Sequence, residues 1–279
     1  MRGSMKRLTV LCMVLIGVVF MLGFPIIKAT IPSGATVASS LGNETAPSDA
    51  AGSHSAFAGN ISEITLTAYS TTQAWAGFYG NITGTIQLAD ALDDVMYNWS
   101  VTDPSGEVYA VNTSTSIDWA NVQCFNFTAN GSTFDDSGQA GATSLYGMNL
   151  TQIEALYNIN PTDVDGFNET FDTDGSLPGN SGTHDEFYVN ALNFTTGECL
   201  SANMFRKPAG SGGSGVDDYF EEVLLYDPTN VVPIFTAILE NDEIAGFDTE
   251  HHNFQLMVPE DGHGTDTTTV PWYFYAEIE

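Results

Sequence analysis

Ten asparagines lie in the sequence pattern Asn-x-Ser/Thr. The side-chain amide of the asparagine in this pattern can accept an N-linked glycan. Since the chain has nineteen asparagines, the pattern is about three times more frequent than chance predicts. The middle residue is often large and apolar, so on a strand it would enter the core while the asparagine faces solvent. The alternative is that Asn and Thr are ordinary polar residues of strand faces. The predicted N-glycosylation sites are Asn43, Asn60, Asn81, Asn98, Asn112, Asn126, Asn130, Asn149, Asn168 and Asn193.

Two of the three cysteines are predicted to form a disulfide bond. Cys12 lies in an apolar amino-terminal run, which leaves Cys124 and Cys199 with one intramolecular pairing. Closing a loop of about 75 residues would stabilise the fold by roughly 4 kcal/mol, if the stabilisation comes from chain entropy. The alternative is a pair of buried thiols. Zinc is disfavoured because neither cysteine has another cysteine or a histidine within five residues.

Ca²⁺ is the one cofactor that the sequence suggests. Two Asp-x-Asp-Gly segments each place two carboxylates before a glycine that favours a turn, and hard oxygen ligands in a loop suit this ion. The spacing excludes an EF-hand, because the third ligand and the glutamate at position twelve are missing. The alternative is a pair of solvated turns. The candidate ligands are Asp163, Asp165, Asp172 and Asp174.

Catalytic motifs are absent from the sequence, so it predicts that the chain is not an enzyme. There is no nucleophile elbow, phosphate loop, His-Glu-x-x-His or Cys-x-x-Cys pattern. His251 and His252 are adjacent, so on a strand they would point to opposite faces. A glycosidase needs only two carboxylates at a suitable separation, which sequence does not specify.

The amino terminus and the charge predict an extracellular or cell-surface protein. Residues 1–28 contain about twenty mostly apolar residues behind three basic ones, which is typical of a signal peptide or an amino-terminal membrane anchor. Beyond residue 38 there are 35 acidic residues against Arg206 and Lys207. Two adjacent bases cannot neutralise a row of phosphates, so nucleic acid is excluded as a partner. Contact with a membrane is expected only through the amino-terminal segment.

The remaining chain is predicted to be an all-β protein. Residues 29–59 are rich in Ala, Ser, Gly and Thr and predict a flexible linker or arm, whereas residues 60–279 predict an antiparallel β-sandwich of the jelly-roll type. One short helix is expected from Gln152 to Asn158, with Thr151 and Glu154 forming a capping box. Asp103–Gly106 is expected to close a hairpin. The predicted strands are residues 61–69, 73–79, 82–88, 95–101, 107–111, 122–128, 187–192, 199–205, 219–226, 231–239, 254–258 and 272–278.

Several segments carry a resemblance to a known family. They are Ala74–Gly84 (AWAGFYGNITG), Glu221–Asp227 (EEVLLYD), Phe254–Glu260 (FQLMVPE) and Trp272–Glu277 (WYFYAE), together with Glu240–Asp242 and Gly246–Asp248. Over most of residues 65–279 the chain resembles a family of archaeal exported cell-surface β-rich glycoproteins of unknown activity. The resemblance implies an archaeal lineage and exposure at the cell surface. It carries no catalytic or ligand residues.

Three classes of function follow from these features. The favoured one is an extracellular structural glycoprotein that forms or decorates a filament, sheath or surface layer. Its partners would be other copies or other cell-surface proteins, and the arm at residues 29–59 could add a strand to a neighbour. The alternative is a secreted module that binds carbohydrate or a partner cell, with Trp119 as the expected exposed stacking residue. A secreted hydrolase is the least favoured class.

Overall fold

The computed structural model describes residues 31–40, 42, 44–47, 50–127, 148–171, 184–204, 220–240, 244–262 and 268–278. Within these ranges the protein is mostly β, and all strand pairs are antiparallel, as predicted. None of the helices in these ranges has the length and apolar character needed to cross a membrane. The predicted signal or anchor at residues 1–28 lies outside the described residues.

A seven-stranded sheet, which we call the main sheet, forms the centre of the protein. Its strands are β1 (Ser33–Gly34), β5 (Gly106–Val111), β6 (Gln123–Cys124), β9 (Ser201–Asn203), β10 (Glu221–Asp227), β11 (Val232–Ile238) and β15 (Tyr273–Ile278). Their order is β1-β15-β5-β11-β10-β6, and β9 lies beside β10 at the same edge as β6. β1 falls inside the predicted linker and pairs with β15 of its own chain.

The other described strands form four two-stranded sheets. They are β2 (Trp75–Gly80) with β14 (Phe254–Pro259), β3 (Gly84–Ala89) with β4 (Val95–Val101), β7 (Phe187–Val189) with β8 (Leu192–Phe194), and β12 (Ile244–Ala245) with β13 (His251–His252). Two short helices, α1 (Leu150–Leu156) and α2 (Phe167–Thr170), complete the described elements. The sequence predicted only one helix.

Alternation along the central strands divides their side chains between two hydrophobic cores. On β10, Leu224 and Tyr226 enter one core, whereas Val223 and Leu225 enter the other. Because both faces of β10 are covered, all seven of its residues are buried. A strand buried on both faces can carry consecutive apolar residues, which explains the run Val223–Tyr226 in the middle of this strand.

The first core lies between the main sheet, the β2–β14 pair and the helices. Leu256 of β14, Ile153 of α1 and Phe167 of α2 pack together there. The ring of Trp75 lies 4.9 Å from that of Phe167, and its Nε1 donates to the carbonyl of Asp165 at 2.6 Å. These contacts hold the beginning of β2 against α2.

The second core lies on the opposite face, under residues 117–122 and the β7–β8 pair. Trp119 packs with its ring 4.9 Å from Tyr109 and 5.4 Å from Tyr275. Phe187 and Phe194 stack with their ring centroids 4.9 Å apart. The loop before β6 and the β7–β8 pair therefore cover this face together.

The predicted disulfide bond between Cys124 and Cys199 is present, with the two Cα atoms 5.3 Å apart. Cys124 ends β6, and Cys199 precedes β9 by two residues. β6 pairs with the second half of β10 and β9 with its first half. The bond therefore clamps two chain segments that are distant in sequence to one edge of the main sheet.

The predicted strand at residues 61–69 is wrong. Among the described residues none forms a backbone hydrogen bond with residues 61–71, and the large apolar side chains there are exposed. A strand needs a partner for its N–H and C=O groups, and alternation alone does not provide one. We call residues 61–69 the amphipathic segment.

Two other predicted connections differ from the structure. The strand expected over residues 187–192 is a hairpin, since Asn190 adopts φ 54° and turns the chain after three residues. Asn tolerates this left-handed region better than most residues. Asp103–Gly106 does not close a hairpin but leads from β4 into the main sheet. Gly106 has φ 111°, and a Cβ there would collide with the Glu277 carbonyl.

The capping box of α1 is formed by a different pair from the predicted one. Asn149 precedes the helix, and its Oδ1 accepts a hydrogen bond from the Gln152 backbone N–H at 3.0 Å. The Gln152 side chain accepts in return from the Asn149 N–H at 3.0 Å. α1 thus begins two residues before the predicted start, and Thr151 and Glu154 do not cap it.

The Cys124–Cys199 bond should contribute strongly to stability, because it closes a loop with a sequence separation of 75. Replacing both cysteines by alanine should lower the free energy of unfolding by about 2–4 kcal/mol. Denaturant unfolding of the variant and of the parent chain measures this difference. Adding reductant to the parent should produce a similar loss, and an unchanged unfolding midpoint in both cases would contradict the assignment.

Candidate functional site

The sequon asparagines lie on the surface wherever the structure describes them. Asn60, Asn81, Asn98 and Asn193 are exposed, and the other four described sites are partly exposed, namely Asn112, Asn126, Asn149 and Asn168. Asn43 and Asn130 lie outside the described residues. Asn149 also shows that a structural role and a sequon are compatible, because its cap uses Oδ1 whereas a glycan is attached at Nδ2.

The residue between Asn and Ser/Thr enters the core at some sites and not at others. Phe194, between Asn193 and Thr195, is buried in the second core, and Leu150 is buried in the first. At Asn193, which lies on β8, the predicted arrangement is confirmed. Leu150 begins α1, so its burial does not come from strand alternation. Ile61 and Trp99 are exposed, so for them the predicted arrangement is wrong. Neither Ile61 nor Trp99 belongs to one of the two cores.

The β3–β4 hairpin has one apolar and one polar face. Residues directly opposite each other on paired strands share a face. The pairs Ile86–Trp99 and Leu88–Tyr97 form the apolar face, which we call the hairpin face. The polar face carries the sequon asparagine and consists of Thr85, Gln87, Asn98 and Ser100.

The hairpin face is exposed although its composition is that of a core. Tyr97 and Trp99 are 58% and 51% exposed, and their ring centroids lie 4.8 Å apart. Ile86 and Leu88 are exposed as well. Contiguous exposed apolar surface is typical of sites that contact a partner or a ligand.

Trp119, the expected exposed stacking residue, is only 7% exposed, so that prediction is wrong. Its ring belongs to the second core beside Tyr109 and Tyr275. The surrounding sequence is polar and resembles a loop. Burial follows from the neighbouring Ile117 and Val122, which bring this loop onto the main sheet.

The candidate calcium ligands are only partly described. The Asp165 carboxylate accepts a hydrogen bond from the Thr72 hydroxyl at 2.6 Å, so it fastens the start of β2 to the loop before α2. Asp172 and Asp174 lie outside the described residues. Within the described part of the chain, no group of three or more His, Cys, Asp or Glu side chains is arranged to hold a metal ion. The calcium site stays a prediction.

The two adjacent histidines point to opposite faces of β13, as predicted. His251 is exposed and His252 is buried. The Nε2 of His252 lies 3.0 Å from the Asp248 carboxylate. This pair closes a short turn between β12 and β13.

A pair of buried glutamates faces one tyrosine in the main sheet. Glu107 and Glu277 are directly opposite on β5 and β15, and each lies within 3.4 Å of the Tyr109 hydroxyl. Burial and the two carboxylates hold the pKa of Tyr109 well above its usual value. The Tyr188 and Asn190 backbone N–H groups donate to the same carboxylates. These acids are 3–4% exposed, so a glycoside substrate has no access to them.

Glu222 is a buried glutamate on the opposite face of the main sheet. It lies on β10, is fully buried, and accepts a hydrogen bond from the Met257 backbone N–H of β14 at 2.7 Å. Its other oxygen has no hydrogen-bond partner in the described residues. Burial raises its pKa well above the ordinary 4.5, and burial beside Glu169 raises that of Glu154.

His184 connects the second core to the disulfide region. Its Nε2 accepts from the Cys199 backbone N–H at 2.9 Å, so its proton is on Nδ1, which donates to the Asp185 carbonyl at 2.7 Å. Burial lowers the pKa of this imidazole. A neutral ring is the form that can accept from Cys199.

The sequence contains a signal for the buried carboxylates, although no motif or spacing predicted them as a site. Glu221 and Glu222 begin an otherwise apolar run, and Glu277 falls within the aromatic last strand. An acid on a strand that is buried on both faces has to enter a core. Which carboxylates meet depends on strand pairing, which alternation does not specify.

No protein-family model, curated protein or solved structure matches this chain.

The raised pKa of Glu222 predicts how stability depends on pH. Folding favours the protonated acid, so its contribution is fully present below pH 4.5 and is lost as the pH rises through the raised pKa. Glu222→Gln removes the charge and should raise the free energy of unfolding by about 1 kcal/mol or more at pH 7. The gain should vanish near pH 4, which denaturant unfolding at both pH values measures.

The matched control is Glu250→Gln, because Glu250 is exposed. It should change stability at neither pH by more than about 0.5 kcal/mol. If Glu222→Gln behaves like this control, the folded protein does not hold Glu222 protonated.

Proposed function

We propose that this chain is an extracellular structural glycoprotein, a subunit or decoration of a cell-surface filament, sheath or surface layer. The observation that carries the proposal is the position of the sequons. All eight described sequon asparagines are at least partly exposed in a fold whose central sheet is packed on both faces. Glycans attached there would cover the outside without disturbing either core.

The compartment is part of the same proposal. A disulfide bond that clamps one edge of the main sheet is typical of proteins that fold in an oxidising compartment. The basic and apolar residues 1–28 support export, with cleavage or with retention as an anchor. The resemblance to archaeal exported glycoproteins supports the same location and lineage.

We also propose that the domain at residues 60–279 is a β-sandwich. The support is that the β2–β14 pair covers one face of the main sheet together with the helices. The β7–β8 pair lies over the other face. In a protein with this layered arrangement, glycans on exposed asparagines can cover the surface on every side.

A structural role is favoured over catalysis by the surroundings of the acids. The best-defined carboxylate pair, Glu107 and Glu277, is enclosed by its own strands and by the backbone of residues 188 and 190. Hydrolysis of a glycoside requires one acid and one base beside an accessible substrate.

The proposal predicts that this chain is found in an ordered assembly on the cells that produce it. Electron microscopy of shed surface material, with mass spectrometry of the same fraction, should show filaments or a lattice containing this chain. Peptides covering Asn60, Asn98 and Asn193 should carry glycans, because these asparagines are exposed. Peptides around Asn121, which is exposed but outside any sequon, provide the control.

The outcomes separate the parts of the proposal. If filaments contain this chain with unmodified asparagines, the glycosylation prediction is contradicted and the structural role is supported. Glycosylated chains that occur only as dispersed monomers would contradict the structural role.

A second candidate function, carbohydrate binding, is favoured by the Tyr97–Trp99 pair. Two exposed neighbouring rings can stack on the apolar side of a sugar ring. Their separation of 4.8 Å provides a continuous aromatic surface. Trp119, being buried, offers no such surface.

Binding of oligosaccharides to the purified chain on a glycan array would test this second candidate. A sugar held by stacking should lose about tenfold or more in affinity in Trp99→Ala, which leaves the sequon at Asn98 intact. Met96→Ala is the matched control, since Met96 is an exposed residue of the same strand outside the ring pair. Equal binding by the two variants would exclude the ring pair as the sugar site.

A further inference from the structure

Two amphipathic parts of the chain have no partner among the described residues. One is the β3–β4 hairpin, whose two strands pair only with each other. The other is the amphipathic segment, which has no regular secondary structure and no backbone hydrogen bond to another described residue. A two-stranded hairpin is marginally stable alone, and a third strand is what such a hairpin requires.

The amphipathic segment has the sequence pattern of that third strand. Over residues 63–68, Ile64, Leu66 and Ala68 alternate with Glu63, Thr65 and Thr67, so a strand here would have one apolar and one polar face. Ile61 and Tyr69, at the two ends of the segment, fall on the side of the polar face. Leu66 is 82% exposed. Its apolar side chains match those of the hairpin face in character.

Charge also favours contact between these two parts. The hairpin carries its charges in the turn, at Asp90, Asp93 and Asp94, and neither of its strands contains a charged residue. The amphipathic segment contains only Glu63. Copies of a chain with a net charge of −29 repel one another wherever their acids approach. Neutral surfaces are therefore the places where two copies can meet at low electrostatic cost.

The two parts leave opposite ends of β2. The amphipathic segment enters at the end where Thr72 bonds to Asp165 and where Gln73 accepts from the Gly262 N–H. The hairpin starts at Gly84, beyond the other end of β2, against the side chain of Ile278. Six residues of strand separate these ends by about 20 Å.

We propose that the amphipathic segment of one copy adds a third strand to the β3–β4 hairpin of the next copy. Ile64, Leu66 and Ala68 then lie on the same side as the hairpin face. The contact joins two different surfaces, so it is heterologous, and its repetition produces an open filament. A glycan on Asn98 lies on the polar face of the hairpin and does not block it. This inference rests on the proposed structural role and specifies its contact.

Complementation between two variants of the full-length glycosylated chain tests the contact. Leu66→Asp damages only the amphipathic segment, and Leu88→Asp damages only the hairpin face; both residues are exposed, so the fold should be unaffected. Each variant alone should need at least about tenfold more protein than the parent chain to assemble. An equimolar mixture should form complexes of two chains, since one intact segment meets one intact hairpin and growth then stops. Mass photometry counts the chains in each complex.

Thr65→Asp and Gln87→Asp are the matched controls, because they place the same charge on the polar faces of the two parts. Both should assemble like the parent. Circular dichroism and thermal unfolding of all four variants check that the fold is retained.

Each other outcome overturns the proposal in a recognisable way. If Leu88→Asp stays monomeric while Leu66→Asp assembles, the hairpin face meets a different surface, such as another hairpin face. If both variants assemble like the parent, the contact is wrong and the structural role stands. If the parent chain is monomeric at every concentration, or the hairpin face binds only a glycan, the structural role and the contact both fail.

Discussion

The scarcity of basic side chains is the constraint that governs the polar contacts of this protein. The chain has 35 acidic and six basic residues, and none of the described residues is a lysine or an arginine. Among the described residues a carboxylate therefore has three options: it stays in water, accepts N–H and O–H donors, or is buried and held neutral. Burial raises the pKa of Glu222 well above its ordinary value, which favours the third option for this acid at the centre of the sheet.

Carboxylates that accept N–H and O–H donors hold loops in place. The Asp227 carboxylate accepts hydrogen bonds from the Asp118, Thr229 and Asn230 backbone N–H groups and from the Asn230 side chain, at 2.8–3.3 Å. Asp118 in turn accepts from Asn121 and Thr229, and these bonds lower its pKa. Amides and hydroxyls thus hold the loop that carries Trp119 over the second core. In a protein richer in bases, arginine or lysine commonly serves this purpose.

The sequence predicted what local chemistry determines, and it failed where a distant partner decides. The central strands follow from apolar, β-branched and aromatic runs between turn residues, the disulfide from a pair of cysteines, and the exposure of the described sequons from the polarity of asparagine. Residues 61–69 have the same alternation as a true strand, yet no strand of the described chain lies beside them. Trp119 was misplaced because its contacts, Tyr109 and Tyr275, come from strands that the sequence does not order. The cap at Asn149 was missed because its residue type also fits a sequon.

The hairpin shows how a glycosylation site can identify the inner side of a strand. At Asn193 the sequon side faces solvent, and the intervening Phe194 is buried by the protein itself. At Asn98 the sequon side also faces solvent, but the intervening Trp99 finds no cover within the described chain. The same alternation therefore produces a buried face at Asn193 and an exposed aromatic face at Asn98. Polar residues in place of Trp99 and Tyr97 would remove the cost of exposing apolar side chains to water. Their presence is therefore explained most simply by a contact with something outside the described residues.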